Sequence, residues 1–163
     1  MDWLIATLLF LHIGGAILAF GPTFVFPILG PMAGREPQHV NFALRFQHRV
    51  AMRLILPLAL FQGVTGLLLI WRIGYNIFAT GWLLAGISLY LVLLGMNIGI
   101  GLPTASRLIT LTSGPPPAPP AGSPPPSGPP PEVAALVRRG RLLGLLSAVL
   151  IVMIVFLMVV KPF

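Results

Sequence analysis

The chain has 163 residues, of which 56% are apolar, with ten Lys or Arg, three Asp or Glu and no cysteine. So few ionisable groups exclude an ordinary water-soluble globule, and the missing cysteine excludes disulfides, thiolate metal sites and thioester chemistry. The formal charge of +7 does not indicate nucleic acid, because the arginines sit beside helix ends, where orientation signals and lipid headgroups account for them.

A membrane helix needs roughly 20 mostly apolar residues to cross ~30 Å of hydrocarbon. Such runs occur at about Leu4 to Leu29, Leu54 to Trp71, Gly81 to Leu102 and Leu142 to Val160. Backbone groups in lipid must be paired within the segment, and no alternating barrel pattern is present, so the runs are read as helices. The expected fold is an all-α, integral membrane four-helix bundle. Its parts are residues 1–111 with three membrane helices and an amphipathic segment at about 37–53, a Pro-rich flexible linker at 112–132, and a fourth membrane helix within 133–163.

The first run starts at Asp2 rather than at basic residues and exceeds the apolar core of a secretion signal, so it is expected in the mature protein. Pro22, Pro27 and Pro31 predict kinks or an early stop, with a bend at Gly21-Pro22. From Pro37 to Arg53 the spacing is helical, with Arg45, Arg49 and Arg53 four residues apart. This basic row suits anionic headgroups, or a clamp on the carboxylates or phosphates of a bound cofactor. Pro57 lies one turn into the second run, and Pro103 is expected to end the third.

Four crossings put Arg35, Arg45, Arg49, Arg53, Arg107, Arg138, Arg139 and Arg141 on one side and only Arg72 and Lys161 on the other. By the positive-inside rule the arginine side is cytoplasmic and both termini lie outside, in a bacterial inner membrane. Trp3, Trp71, Tyr75 and Trp82 gather at the predicted outer interface, as amphipathic rings do. The linker, with Pro115 to Pro117, Pro124 to Pro126 and Pro129 to Pro131, reads as an extended tether or a docking site for a proline-recognising partner. Small residues at four-residue spacing mark expected contact faces: Gly15 and Ala19, Gly95 and Gly99, and Gly140, Gly144 and Ala148.

His12 stands about 14 Å from the outer boundary, near the bilayer centre. Gln62, Ser88, Tyr90 and Met153 fall within roughly one turn of that depth, which predicts a buried pocket. In the first reading His12 bonds Gln62, Tyr90 or a backbone carbonyl and fixes helix packing. In the second, its neutral nitrogen ligates a haem or other tetrapyrrole, with Met153 or a second copy of His12 as the other axial ligand. Copper, quinone contact and proton handling follow. For copper, Met32, Met52, Met96 and His48 are the soft ligands on hand. His48, with His39, is read as interfacial, since it lies too far from His12 in depth to share one iron.

The stretch Leu11-His12-Ile13-Gly14-Gly15-Ala16, continuing to Phe20-Gly21-Pro22, resembles the first helix of a group of small, mostly uncharacterised bacterial predicted integral membrane proteins. It is more loosely similar to copper-resistance D-type proteins and HemJ-type protoporphyrinogen oxidases, which follow a histidine-bearing helix with a basic start to the second, here Arg45 through Arg53. For the HemJ type this implies haem at His12. That pattern also carries a lysine in a later helix, where this chain has only Lys161. The expected function is a non-catalytic accessory or structural subunit of a respiratory or photosynthetic membrane complex, with His12, Met153, Gln62, Tyr90, Arg45, Arg49 and Arg53 as candidate cofactor contacts. It would associate with other membrane subunits or with itself through the small-residue faces. The rivals are a stand-alone haem-binding oxidoreductase and a metal or small-solute transporter.

Overall fold

The computed structural model describes residues 2–114 and 128–162. Its four long helical rods are α1 (Trp3–Arg35), α2 (Val40–Ile73), α3 (Gly81–Thr112) and α4 (Pro131–Val160), each long and apolar enough to cross a membrane. No strand occurs among the described residues. Most of the expected linker, with Pro115 to Pro117 and Pro124 to Pro126, lies outside them.

Asp2 starts α1, its carboxylate accepting from the Leu4 N–H at 3.1 Å, which satisfies a donor that has no partner within the helix. The bend expected at Gly21-Pro22 is a 3-10 turn over Gly21–Phe24, after which an α-helical piece runs over Phe26–Arg35. The predicted amphipathic segment is the first part of α2, Val40–Val50, continuous with the span through a π turn at Ala51–Ile55. Gly74 ends α2 at φ 83, a left-handed position that suits glycine, and its N–H returns to the Ile70 carbonyl at 3.0 Å. Asn76 then shapes the turn, accepting from the Phe78 and Ala79 N–H groups at 3.0 and 3.2 Å.

Pro103 does not end the third helix as its residue type predicts. A π turn over Asn97–Gly101 comes just before it, and the helix continues over Leu102–Thr112. The wider turn makes room where the proline ring would collide with the preceding carbonyl, so the break becomes a local widening. The same device precedes Pro57 in α2. Both π turns sit where an apolar span meets an amphipathic extension.

The rods pack as two pairs, α1 on α2 and α3 on α4. At one end Asp2 pairs with Arg72, and the Lys161 ammonium lies 5.3 Å from the Trp82 ring centre, so both described ends of the chain share one face of the bundle. Trp82, Leu83 and Leu157 form the buried cluster there, with Tyr75 edge-on to Trp82 at 5.6 Å. At the other end the amphipathic extensions of α2 and α3 meet. The Asn41 amide nitrogen lies 3.1 Å from the Ile109 carbonyl, 2.9 Å from Thr112 Oγ1 and 3.1 Å from Ser113 Oγ, tying off the last turn of α3.

Of the expected small-residue faces, Gly15 and Ala19 are buried, Gly15 against Gln62 and Phe61 of α2. At Gly95, Gly99, Gly140 and Gly144 the space is open among the described residues: a methyl group added at any of them meets nothing within 4 Å. At Gly15 an added Cβ would lie 3.1 Å from Gln62 Oε1 and 3.3 Å from Phe61 Cδ1. Gly15→Leu is therefore expected to destabilise the protein by about 1–3 kcal/mol in detergent unfolding, while Gly144→Leu leaves the monomer's unfolding unchanged.

Candidate functional site

The polar centre of the bundle is built by one face of α2. Gln62, Thr65 and Gly66 stand at positions i, i+3 and i+4 and so line one side of the helix, opposite His12 on α1. His12 Nδ1 is 3.0 Å from Thr65 Oγ1, and His12 Nε2 is 3.0 Å from Gln62 Nε2. The Thr65 hydroxyl is also 3.0 Å from the Phe61 carbonyl and 3.1 Å from that of Gln62, so its proton goes to the backbone and its lone pair receives His12 Nδ1–H. An amide nitrogen can only donate, which makes Nε2 the acceptor. The arrangement thereby selects one neutral tautomer of His12, with the proton on Nδ1.

Glycine makes this closeness possible. A Cβ at Gly66 would stand 3.1 Å from His12 Cε1, so the Nδ1–Cε1–Nε2 edge of the ring comes close to α2 at this glycine. Thr65 and Gln62 are only 2% and 8% exposed, and Gln62 Oε1 is buried against Gly15 with no hydrogen-bond partner. One turn along, Tyr90 of α3 donates its hydroxyl to the Ala59 carbonyl at 2.8 Å, in space left by Gly63. A third polar link joins the other pair, with Asn97 Nδ2 3.0 Å from Ser147 Oγ.

Of the residues expected around His12, the structure brings Gln62 to it and places Tyr90 nearby on a different acceptor. Ser88 bonds its own helix at the Leu84 carbonyl, and Met153 is 47% exposed on α4. Arg53, Arg49 and Arg45 lie about 14 to 26 Å from Gln62 along α2. Met32 and His48, weighed together for copper, line different crevices. Thr65 was not foreseen; its place three residues from Gln62 and next to Gly66 is the signal that could have found it.

A metal-bound imidazole needs one nitrogen free for the metal. Here both are engaged by α2, so as arranged the site has no open coordination position for a tetrapyrrole iron. No group of three or more His, Cys, Asp or Glu able to hold a metal ion occurs among the described residues. What the cluster does chemically is hold α1 against α2 at a depth where water offers no substitute bond.

Residues 6–162 match the family described as predicted integral membrane protein (DUF2269), and the chain belongs to that family. Searches of curated proteins and of solved structures found no significant match. The looser likeness to copper-resistance D-type and HemJ-type proteins draws no support from these comparisons.

If His12, Gln62 and Thr65 act as one clasp, their removal is not additive. A double-mutant cycle of His12→Ala and Gln62→Ala, read by detergent unfolding, is expected to give a coupling of about 0.6–1.7 kcal/mol, between the mean and the maximum for interhelical bonds in membranes.

Proposed function

We propose that this integral membrane protein is a non-catalytic accessory subunit of a larger membrane assembly, with His12 serving as the bolt of its first helix pair. The observation that carries the reading is the open glycine faces of α3 and α4. In lipid, helices associate where small residues let backbones approach. Gly95, Gly99, Gly140 and Gly144 provide such surfaces, since among the described residues an added methyl group at each would meet no neighbouring part of the chain within 4 Å. The spans support the same reading, since no more than 22% of any span's apolar window is buried within the chain. The charge asymmetry favours an orientation with the arginine end in the bacterial cytoplasm.

Tetrapyrrole binding at His12 is the second reading. It rests on the depth of a lone imidazole among apolar helices, and it requires Gln62 or Thr65 to release a ring nitrogen. One experiment separates the two. Native electrophoresis of membranes solubilised in mild detergent, with a visible scan of the same lane, is expected to show a colourless species larger than the monomer. Gly95→Leu with Gly144→Leu should return it to the monomer without loss of helix content. A monodisperse free chain would count against the subunit, and a Soret band abolished by His12→Ala would establish the tetrapyrrole site instead.

A further inference from the structure

The amphipathic extensions of α2 and α3 flank a shallow, open cleft lined by Arg45, His48, Arg49, Ser106 and Ile109. Open on one side, it can be reached by a phosphate group from the surface. Arg45 and Arg49, four residues apart, project from the same side of the helix. His48 beside them keeps Nδ1 buried with no hydrogen-bond partner, and Ser106 brings a hydroxyl from α3.

The charge inventory explains why this cleft needs an outside anion. The chain has only three acidic side chains. Asp2 pairs with Arg72 at the opposite end, Glu36 is 2.6 Å from His39, and Glu132 is 2.9 Å from Arg107. With every acidic side chain engaged, no carboxylate remains for Arg45 or Arg49 among the described residues. Two guanidinium groups on one face repel each other, and their forked donors match phosphate oxygens.

Location selects the source of that phosphate. The cleft lies next to the π turn at Ala51–Ile55, where the amphipathic segment gives way to the apolar span, which is headgroup depth. The neighbouring face of the same segment exposes Phe42 and Phe46, stacked at 6.5 Å. With Leu29, Met32 and Ala33 they line a mainly apolar crevice beside it, suited to acyl chains, with the paired Glu36 and His39 also in its lining. We propose that the Arg45–Arg49 cleft between α2 and α3 is a binding site for the phosphate of an anionic phospholipid. The site does not depend on assembly with other subunits.

The test uses the full chain in neutral detergent, titrated separately with short-chain phosphatidylglycerol, short-chain phosphatidylcholine and inorganic phosphate, with bound lipid counted by native mass spectrometry. Phosphatidylglycerol should be retained in preference to phosphatidylcholine. Arg45→Gln with Arg49→Gln should weaken it by about tenfold or more, whereas Arg138→Gln with Arg139→Gln, which removes the same charge from the start of α4, should weaken it by about twofold or less. Arg45→Lys with Arg49→Lys keeps the charge but not the fork and should fall between, which guards against a fold defect in the glutamine pair. Equal losses in the two glutamine pairs would reduce the effect to diffuse attraction and overturn the site. Equal retention of phosphatidylcholine would overturn it as well, and inorganic phosphate competing as well as the lipid would replace the lipid with a soluble anion.

Discussion

The constraint on which the rest of the structure depends is that a polar side chain in hydrocarbon must find its hydrogen bonds inside the protein. His12 meets it at both ring nitrogens, while its partner Gln62 leaves Oε1 buried without a bond. One ring nitrogen gives its proton to Thr65 and the other receives one from Gln62, both on α2. The glycines follow from this bond set, because Gly15 admits Gln62 and Gly66 admits the imidazole ring. Remove the polar pairing and the small residues have no reason to sit where they do. Asn97 with Ser147 in the other pair, and Tyr90 between the pairs, meet the same requirement with fewer bonds.

This clasp also explains why the bundle divides as it does. α1 is fixed to α2 through side chains at mid-membrane depth, while α3 and α4 are joined by the Asn97–Ser147 link and the Trp82 cluster near the chain ends. The two pairs are stitched at the arginine end by Asn41, in extensions that the π turns set off from the spans. A chain built this way keeps much of its lateral surface free, including glycines beside which the described residues leave room for an added methyl group. Such a surface is consistent with a subunit that finishes its packing against neighbours.

Much of this was legible in the residues. Hydropathy alone located the four spans, and Arg45 and Arg49, spaced as on a helix, fall in the helical piece Val40–Val50. Counting residues from the helix ends put Gln62 level with His12, because rise per residue is fixed in a helix. Rotation is not fixed by that count. Met153 shares the depth of His12 yet faces outward, and Ser88 turns back on its own helix. Pro103 misled for a related reason: its ring forbids an α turn before it but tolerates a wider one, and sequence does not show which remedy the chain adopts. The glycine ladders were readable as small surfaces but not as occupied ones: Gly15 has Gln62 and Phe61 of α2 beside it, whereas the space at Gly95, Gly99, Gly140 and Gly144 is open among the described residues.

The most direct test of the central claim is the protonation pattern of the His12 ring itself. Nitrogen-15 magnetic resonance of protein labelled only at histidine, with the His12 signals assigned by their loss in His12→Asn, reads both ring nitrogens at once. The account predicts one neutral form, with a proton on Nδ1 and a hydrogen-bonded, unprotonated Nε2. A proton on Nε2, rapid exchange between tautomers, or a shift typical of metal coordination at either nitrogen would contradict it.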